Sequence, residues 1–369
     1  MFQLQFRLSK KVCRVVATCA LAAVTTATAV AQQPVGRTEL IFLGTAGGPP
    51  LRLDRSEPAT LLIVDGRPYL IDCGIGTMRR MLQAGIASET IQTIFLTYLH
   101  ADHDLGLADV MANDFFRLNS TSSTQHIELY GPPQTEDLVD AAFHYIAFGF
   151  QSFAAEPGAI RAGLVDGRLI SPFVAHDIQH EGLIYQDDKI RVIAAENSHY
   201  ALMPPEDRKK MKSYSYRIET PHGIVVFTGD TGPSGAVTRL AAGADVLVVE
   251  VEDLNEVSKF VQKMAAENNW PPQRAAALMA HMRQEHLGQT EVGKMVSAAQ
   301  VKSVVLYHYD PEDPSAYVAA IKSSFAGAVF ASADLDRYCL GTPDALGTAG
   351  ALFKCGTGSS HVANSNLPR

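Results

Sequence analysis

Residues 97–107 read TYLHADHDLGL. His100, Asp102, His103 and Asp104 fall within five positions, and Tyr98 precedes them. The segment continues the apolar run TIFLTYL (93–99), which has the character of a buried strand. A chain leaving such a strand can turn several side chains toward one point. Imidazole nitrogens and carboxylate oxygens are the donors that divalent zinc takes, with an open position where the metal is catalytic. The stretch is either a metal site or a polar turn, and the rest of the chain decides between them.

Three further segments repeat the arrangement. His199 stands in AENSHY, directly after the strand-like KIRVIAA. Asp230 stands in VVFTGDTGPS, and His308 ends VVLYH. Ligand-type side chains at four separate strand ends are hard to explain as packing, because burying them without partners is costly. His126, His144, His176, His180, His222, His281 and His361 lack such a context and are read as structural or surface residues.

The surrounding pattern predicts α/β layers. ATLLIVD (59–65) and PYLIDCG (68–74) flank a Gly66-Arg67 turn and predict a hairpin. ADVLVVEV (244–251) and KSVVLYH (302–308) are buried-type strands, and helical spacing occurs at 76–84, 105–118 and 134–148. Residues 143–187 fit no regular pattern and open on the aromatic cluster FHYIAFGFQSF. They are read as a helix packed on the core or as a lid insertion. Residues 340–369, rich in Gly, Ala, Ser and Asn, are expected to be a poorly ordered low-complexity tail.

FLGTAGGP (42–49), LIDCGIGT (70–77), HADHDLGL (100–107), SYSYRIET (213–220), FTGDTGPS (227–234), EHLGQTEVG (285–293) and VVLYH (304–308) together resemble the metallo-β-lactamase superfamily, in its ribonuclease Z and arylsulfatase-like branch. The resemblance spans about residues 39 to 335 of a domain expected over 32–339. It implies a four-layer αββα sandwich with a two-metal site at one edge of the facing sheets. Carried over, it assigns the second metal to Asp102, His103 and His308, with Asp230 bridging. His100, His199 and Asp230 remain for the first metal, because Tyr98 stands where the motif has its first histidine. A neutral phenol, with a pKa of about 10, is a poor zinc ligand beside imidazole. The cofactor expected is therefore Zn2+, with one ion firmly bound and a second weak or absent.

The chemistry implied is hydrolysis of an ester bond by metal-activated water. Asp102 and Asp230 would orient the water, and His286 in EHLGQTEVG would assist proton transfer. Phosphodiesters or sulfate esters suit the branch. The alternatives are a lactonase or β-lactamase-type hydrolase, or a metal-binding protein without turnover.

The N-terminus bears on location and partners. Arg7, Lys10, Lys11 and Arg14 precede the apolar VVATCALAAV, and Ala29-Val30-Ala31 follows. This predicts a signal peptide over residues 1–31, cleaved after Ala31, and a periplasmic or secreted protein. The apolar run is well short of the roughly 20 residues of a membrane span. Cleavage removes those four cations and no acid, taking the net charge from −8 to about −12. On that acidity nucleic acid is not expected as a partner; a small anionic ester is the expected substrate, and a homodimer stays open. Arg208-Lys209-Lys210 is read as a solvated face. Cys339 and Cys355 can pair in an oxidising compartment, which would leave Cys73 alone.

Overall fold

The computed structural model describes residues 36–121, 126–155, 164–165, 168–169, 171–341 and 351–356. The chain divides into Met1–Gln33 and Pro34–Arg369, and all the described residues belong to the second unit. The expected signal peptide lies outside the described residues. No helix among the described residues is long and apolar enough to cross a membrane.

The elements run β1 (Arg37–Gly44), β2 (Ala59–Val64), β3 (Arg67–Ile71), α1 (Thr77–Gln83), β4 (Thr93–Phe95), α2 (Ala101–Asp104), α3 (Leu107–Thr121), β5 (Ile127–Gly131) and α4 (Thr135–Ala155). Next come β6 (Leu164–Val165), β7 (Arg168–Leu169), β8 (Phe173–Asp177), β9 (Gly182–Gln186), β10 (Arg191–Glu196), β11 (Tyr214–Thr220), β12 (Gly223–Phe227), α5 (Gly235–Leu240) and β13 (Val246–Val249). The chain continues through α6 (Leu254–Glu267), α7 (Pro272–Gln284), α8 (Gln289–Ala299), β14 (Ser303–Leu306), α9 (Ser315–Lys322), β15 (Ala328–Ala331), β16 (Arg337–Gly341) and β17 (Leu352–Gly356).

Two mixed sheets face each other. One has the order β17-β16-β1-β2-β3-β4-β5-β8 and the other β15-β14-β13-β12-β11-β10-β9. Successive side chains of a strand point to opposite faces, and here both faces are apolar. In β2, Leu61 and Ile63 pack outward against α1 and α3, while Leu62 and Val64 face the second sheet. In β13, Val246 and Val248 face inward, while Leu247 and Val249 meet α5, α8 and α9. Burial on both faces is why these strands read as unbroken apolar runs rather than alternating ones. Each such side chain contributes about 1.5–3 kcal/mol on burial. The result is the expected αββα sandwich.

Two segments refine the sequence expectation. Phe143 and Ile146 lie on α4 and pack into the outer core of the first sheet. The expected tail holds β17, which pairs antiparallel with β16 and is joined to it by a Cys339–Cys355 disulfide. Cys73 is buried and free.

Strand ends gather at one edge. β4 stops at Phe95, and Leu96 to Leu99 carry the chain on to His100, whose extended backbone precedes α2. Asp230 follows β12, and His308 follows β14 with a φ of 49°. Gly229, just before Asp230, has a φ of 58°, and a Cβ there would lie 2.8 Å from that of Thr97. Only glycine lets the two strand ends approach this closely. Gly48 has a similar role in the FLGTAGGP loop, where a Cβ would run into the Asp102 carboxylate.

Candidate metal centre

Asp102, His103, Asp230 and His308 each offer one donor atom, and these atoms all lie within 4.8 Å of one another. All four residues are buried. His103 Nε2 lies 3.7 Å from Asp102 Oδ2 and 3.5 Å from Asp230 Oδ1. His308 Nε2 lies 3.2 Å from Asp102 Oδ2 and 3.4 Å from Asp230 Oδ2.

The donor set fits a cation. His103 Nε2 and Asp230 Oδ1 are buried without a hydrogen-bond partner, and such atoms are costly unless something fills the space between them. Two imidazoles and two carboxylates suit zinc. Burial disfavours charge on His103, but Asp72, Asp230 and Asp102 outweigh it and hold that imidazole well above its ordinary pKa. Burial likewise opposes ionisation of Asp102, yet His103 and His308 bring its carboxyl down to about 2. The cluster is thus held together by opposite charge, and a divalent cation can supply that charge in place of protons.

Asp72 orients the cluster. Its Oδ2 lies 2.9 Å from His103 Nδ1, and its carboxylate also accepts from the Thr97 backbone N–H at 2.7 Å and from the Thr97 hydroxyl at 2.9 Å. A carboxylate behind a ligating imidazole fixes its tautomer and ring direction. The sequence reading missed Asp72; its signal was an aspartate at the end of the buried run LIDCG.

The remaining expected ligands are arranged differently from the simple carry-over. His199, Asp230 and His286 form a second buried group with donor atoms within the same 4.8 Å. His199 Nδ1 donates to the Glu285 carbonyl at 2.9 Å, and its Nε2 lies 3.4 Å from His100 Nδ1. His100 adjoins this group through His199. Burial keeps the His199 imidazole well below its ordinary pKa, and that of His100 is lowered as well. Tyr98 faces the site. Its ring centroid is 4.6, 4.4 and 4.6 Å from those of His100, His103 and His199. Its hydroxyl donates to Asp230 Oδ2 at 2.6 Å.

His286 is held by a residue the sequence reading also missed. Its Nδ1 lies 2.7 Å from Glu250 Oε2, and Glu250 Oε1 accepts from the Thr231 N–H at 2.5 Å. Burial pushes the Glu250 carboxyl well up and the His286 imidazole down. Both shifts favour a single proton held between the two groups. His281, read from sequence as structural or surface, instead stands beside the site. Its ring is 5.1 Å from that of His286, and its Nδ1 lies 2.5 Å from Glu285 Oε2. His176 and His222 do pair with carboxylates away from the cluster, Glu128 and Asp65 respectively.

Residues 67–309 match the family model described as Beta-lactamase superfamily domain. The chain is 27% identical over 305 residues to a Ribonuclease Z of Mycobacterium marinum, covering 81% of this chain and 97% of that protein. It is 29% identical over 273 residues to a Ribonuclease Z of Mycobacterium sp. strain KMS, covering 74% and 84%. Among solved structures, the metallo-beta-lactamase fold protein YhfI from Bacillus subtilis aligns with a TM-score of 0.56 at 14% identity, over 86% of this chain and 99% of that one. Human tRNase Z, short form, aligns with a TM-score of 0.56 at 18% identity, over 81% and 98%.

These relatives correct one expectation. Nucleic acid is not expected from net acidity, yet the curated relatives are named Ribonuclease Z. Net charge averages over the whole surface, whereas a polyanion responds to local charge. Arg208, Lys209, Lys210 and Lys212 fall within five residues of an otherwise acidic chain.

Proposed function

The chain belongs to the Beta-lactamase superfamily, and from that premise we propose that it is an exported, zinc-dependent phosphodiester hydrolase with one firmly held metal. Membership makes it a metal-dependent hydrolase acting on ester bonds. The phosphodiester, the single zinc and the export are the proposal.

The observation that carries it is the buried Asp102, His103, Asp230 and His308 cluster, with its unpartnered donor atoms, beside the Glu250–His286 pair. A bound zinc supplies Lewis-acid polarisation and a water acidic enough to attack at neutral pH. Asp102 and Asp230 would help to hold the metal and would accept hydrogen bonds from an attacking water, orienting it. Glu250 ties down His286 Nδ1, which leaves Nε2 to hand a proton to the departing oxygen. Attack forms one P–O bond and breaks another, and no covalent intermediate with the chain is required. Tyr98 supports a single firm metal, because it donates to Asp230 where a first-site imidazole would ligate.

Phosphodiesters are favoured over sulfate esters because the relatives' name specifies a ribonuclease. Their chemistry extends the reading to RNA, for which residues 208–212 offer local positive charge. Export rests on the basic start, the apolar run and Ala29-Val30-Ala31, and the Cys339–Cys355 disulfide supports it. N-terminal sequencing of native protein should begin near Gln32; Met1 retained on cytoplasmic protein would overturn export.

Metal analysis combined with an ester panel tests the activity. Bis(4-nitrophenyl) phosphate should be hydrolysed in proportion to zinc content. 4-Nitrophenyl sulfate, a lactone and a β-lactam should be poorer substrates. Tight zinc without turnover of any ester would favour the binding-protein reading, for which Tyr98 is the motivating residue.

A further inference from the structure

Beside His100 lies a cavity of about 240 Å³ whose lining includes Tyr200, Met203, Met211, Pro132 and Gln134. From this lining we infer that the cavity is a nucleobase pocket, which seats the base of a nucleoside phosphodiester while its phosphate lies at the metal cluster. The inference rests on the phosphodiester reading and narrows its substrate class.

Three features of the cavity point to a flat ring with a polar edge. The first is the lining itself. The methionine thioethers are apolar and adaptable, Pro132 is apolar and rigid, and Tyr200 supplies an aromatic face. Bases stack on such faces in a sequence-tolerant way, at about 1–3 kcal/mol per base. The second is position. The Tyr200 ring centroid lies 5.6 Å from that of His100 and 5.2 Å from that of His199. The cavity therefore opens directly beside the candidate metal ligands, as a base must lie beside its own phosphate.

The third feature is Gln134. Its φ is 83°, in the left-handed region, and its backbone N–H is held at 3.0 Å by Asp177 Oδ2. A glutamine at such a φ is strained relative to glycine. Strain of this kind that persists beside a binding cavity motivates a functional reading. An exposed carboxamide has both a donor and an acceptor, which suits the edge of a base. An alkyl chain would have no use for it.

The rim is basic. Met211 lies between Lys210 and Lys212 in the run Arg208-Lys209-Lys210-Met211-Lys212. Glu206 and Asp207 precede the run, and Lys212 pairs with Glu196 at 3.0 Å. Arg208, Lys209 and Lys210 add local positive charge to that run, which favours further phosphates of a chain.

Calorimetric titration of the zinc-loaded protein tests the pocket directly. Uridine and adenosine monophosphates are compared with ribose 5-phosphate, which has the same phosphate and no base, and with hexyl phosphate. The nucleotides should bind about 5- to 150-fold more tightly than ribose 5-phosphate, as one stacked base implies. Tyr200→Phe should keep that ratio, and Tyr200→Leu should bring it toward one. Gln134→Gly should also lower the ratio while raising thermal stability, since it relieves the left-handed φ. Because Gln134 is exposed, that variant guards against a folding defect at Tyr200.

Equal binding of nucleotide and ribose 5-phosphate would overturn the pocket, as would hexyl phosphate binding more tightly than either nucleotide. Base-dependent binding without hydrolysis of any phosphodiester would uphold the pocket and sink the proposed reaction, so the two readings fail separately. A short single-stranded oligoribonucleotide distinguishes the source of the base. Tighter, salt-sensitive binding than the mononucleotide assigns it to a nucleic-acid chain, and equal binding assigns it to a free nucleotide ester.

Discussion

The Tyr98 hydroxyl donates a 2.6 Å hydrogen bond to Asp230 Oδ2, and Asp230 is the residue shared by the two buried donor groups built around His103 and His199. The phenol thus takes up one oxygen of the carboxylate that a two-metal site would bridge. Burial and the Asp230 charge push the Tyr98 pKa well above its ordinary value, so the group acts as a donor rather than an anionic ligand.

Replacing Tyr98 by histidine should raise zinc content from about one toward about two per chain, since an imidazole joins His100, His199 and Asp230 in an ordinary zinc donor set. Tyr98→Phe should leave zinc content unchanged. It should also lower stability by about 1–3 kcal/mol, because a buried carboxylate oxygen loses its donor. Elemental analysis and denaturant melts on the same preparations decide this. A Tyr98→His protein with unaltered zinc content would refute the assignment of Tyr98 to the missing ligand position.

The Asp72–His103 hydrogen bond leads to a second prediction. Asp72→Asn keeps the shape but removes the charge behind His103 Nδ1. Zinc affinity should fall about 10- to 100-fold, the usual effect of losing such an orienting group, as read by competition with a chromophoric chelator. Asp230→Ala should do worse, since that residue belongs to both donor groups. Full affinity in Asp72→Asn would mean that the surrounding packing alone sets the His103 ring.

The Cys339–Cys355 bridge closes a loop with a sequence separation of 16. A loop of that length corresponds to about 3 kcal/mol of unfolded-state entropy. The double Cys339→Ser, Cys355→Ser variant should lose that order of stability in urea melts while keeping its zinc, because β17 lies at the end of the first sheet. Melting unchanged by substitution or by reductant would mean that the bridge is absent from the purified protein.

Sequence alone made the two-sheet core legible because strands buried on both faces carry unbroken apolar runs, as ATLLIVD and ADVLVVEV do. Asp102, His103, Asp230 and His308, which the fold gathers, stood out for a related reason: they lie where the chain leaves buried apolar strands, and polar groups are conspicuous there. Asp72, Glu250 and His281 were harder. Asp72 and Glu250 meet partners 31 and 36 residues away, and those contacts depend on which strands the topology places side by side. His281 belongs to a helix without a buried residue, so its pattern reads as surface even though its ring stands beside His286. β17 was hidden by composition, because the five residues LFKCG lie within a tail rich in small residues.

The Glu250–His286 pair allows a test of proton transfer that does not depend on substrate identity within the phosphodiester class. Glu250 Oε1 accepts from Thr231, and Oε2 holds His286 Nδ1. In Glu250→Gln the carbonyl can still serve Thr231, but an NH2 group then meets His286, and the pair loses the proton it shares. If His286 protonates the departing oxygen, the loss should scale with how badly that oxygen needs a proton. With bis(4-nitrophenyl) phosphate the leaving group departs readily as a phenolate, and kcat should fall little. With a dinucleotide the leaving group is an alkoxide, and kcat should fall about 10²- to 10⁴-fold. His286→Ala should show the same leaving-group dependence, and the double variant should be little worse than either single one, as expected for two residues acting as a unit. Zinc content should stay at the level of the unaltered protein if His286 serves the proton rather than the metal. Equal losses on both substrates, accompanied by lost zinc, would instead make His286 a ligand of the His199 and Asp230 group.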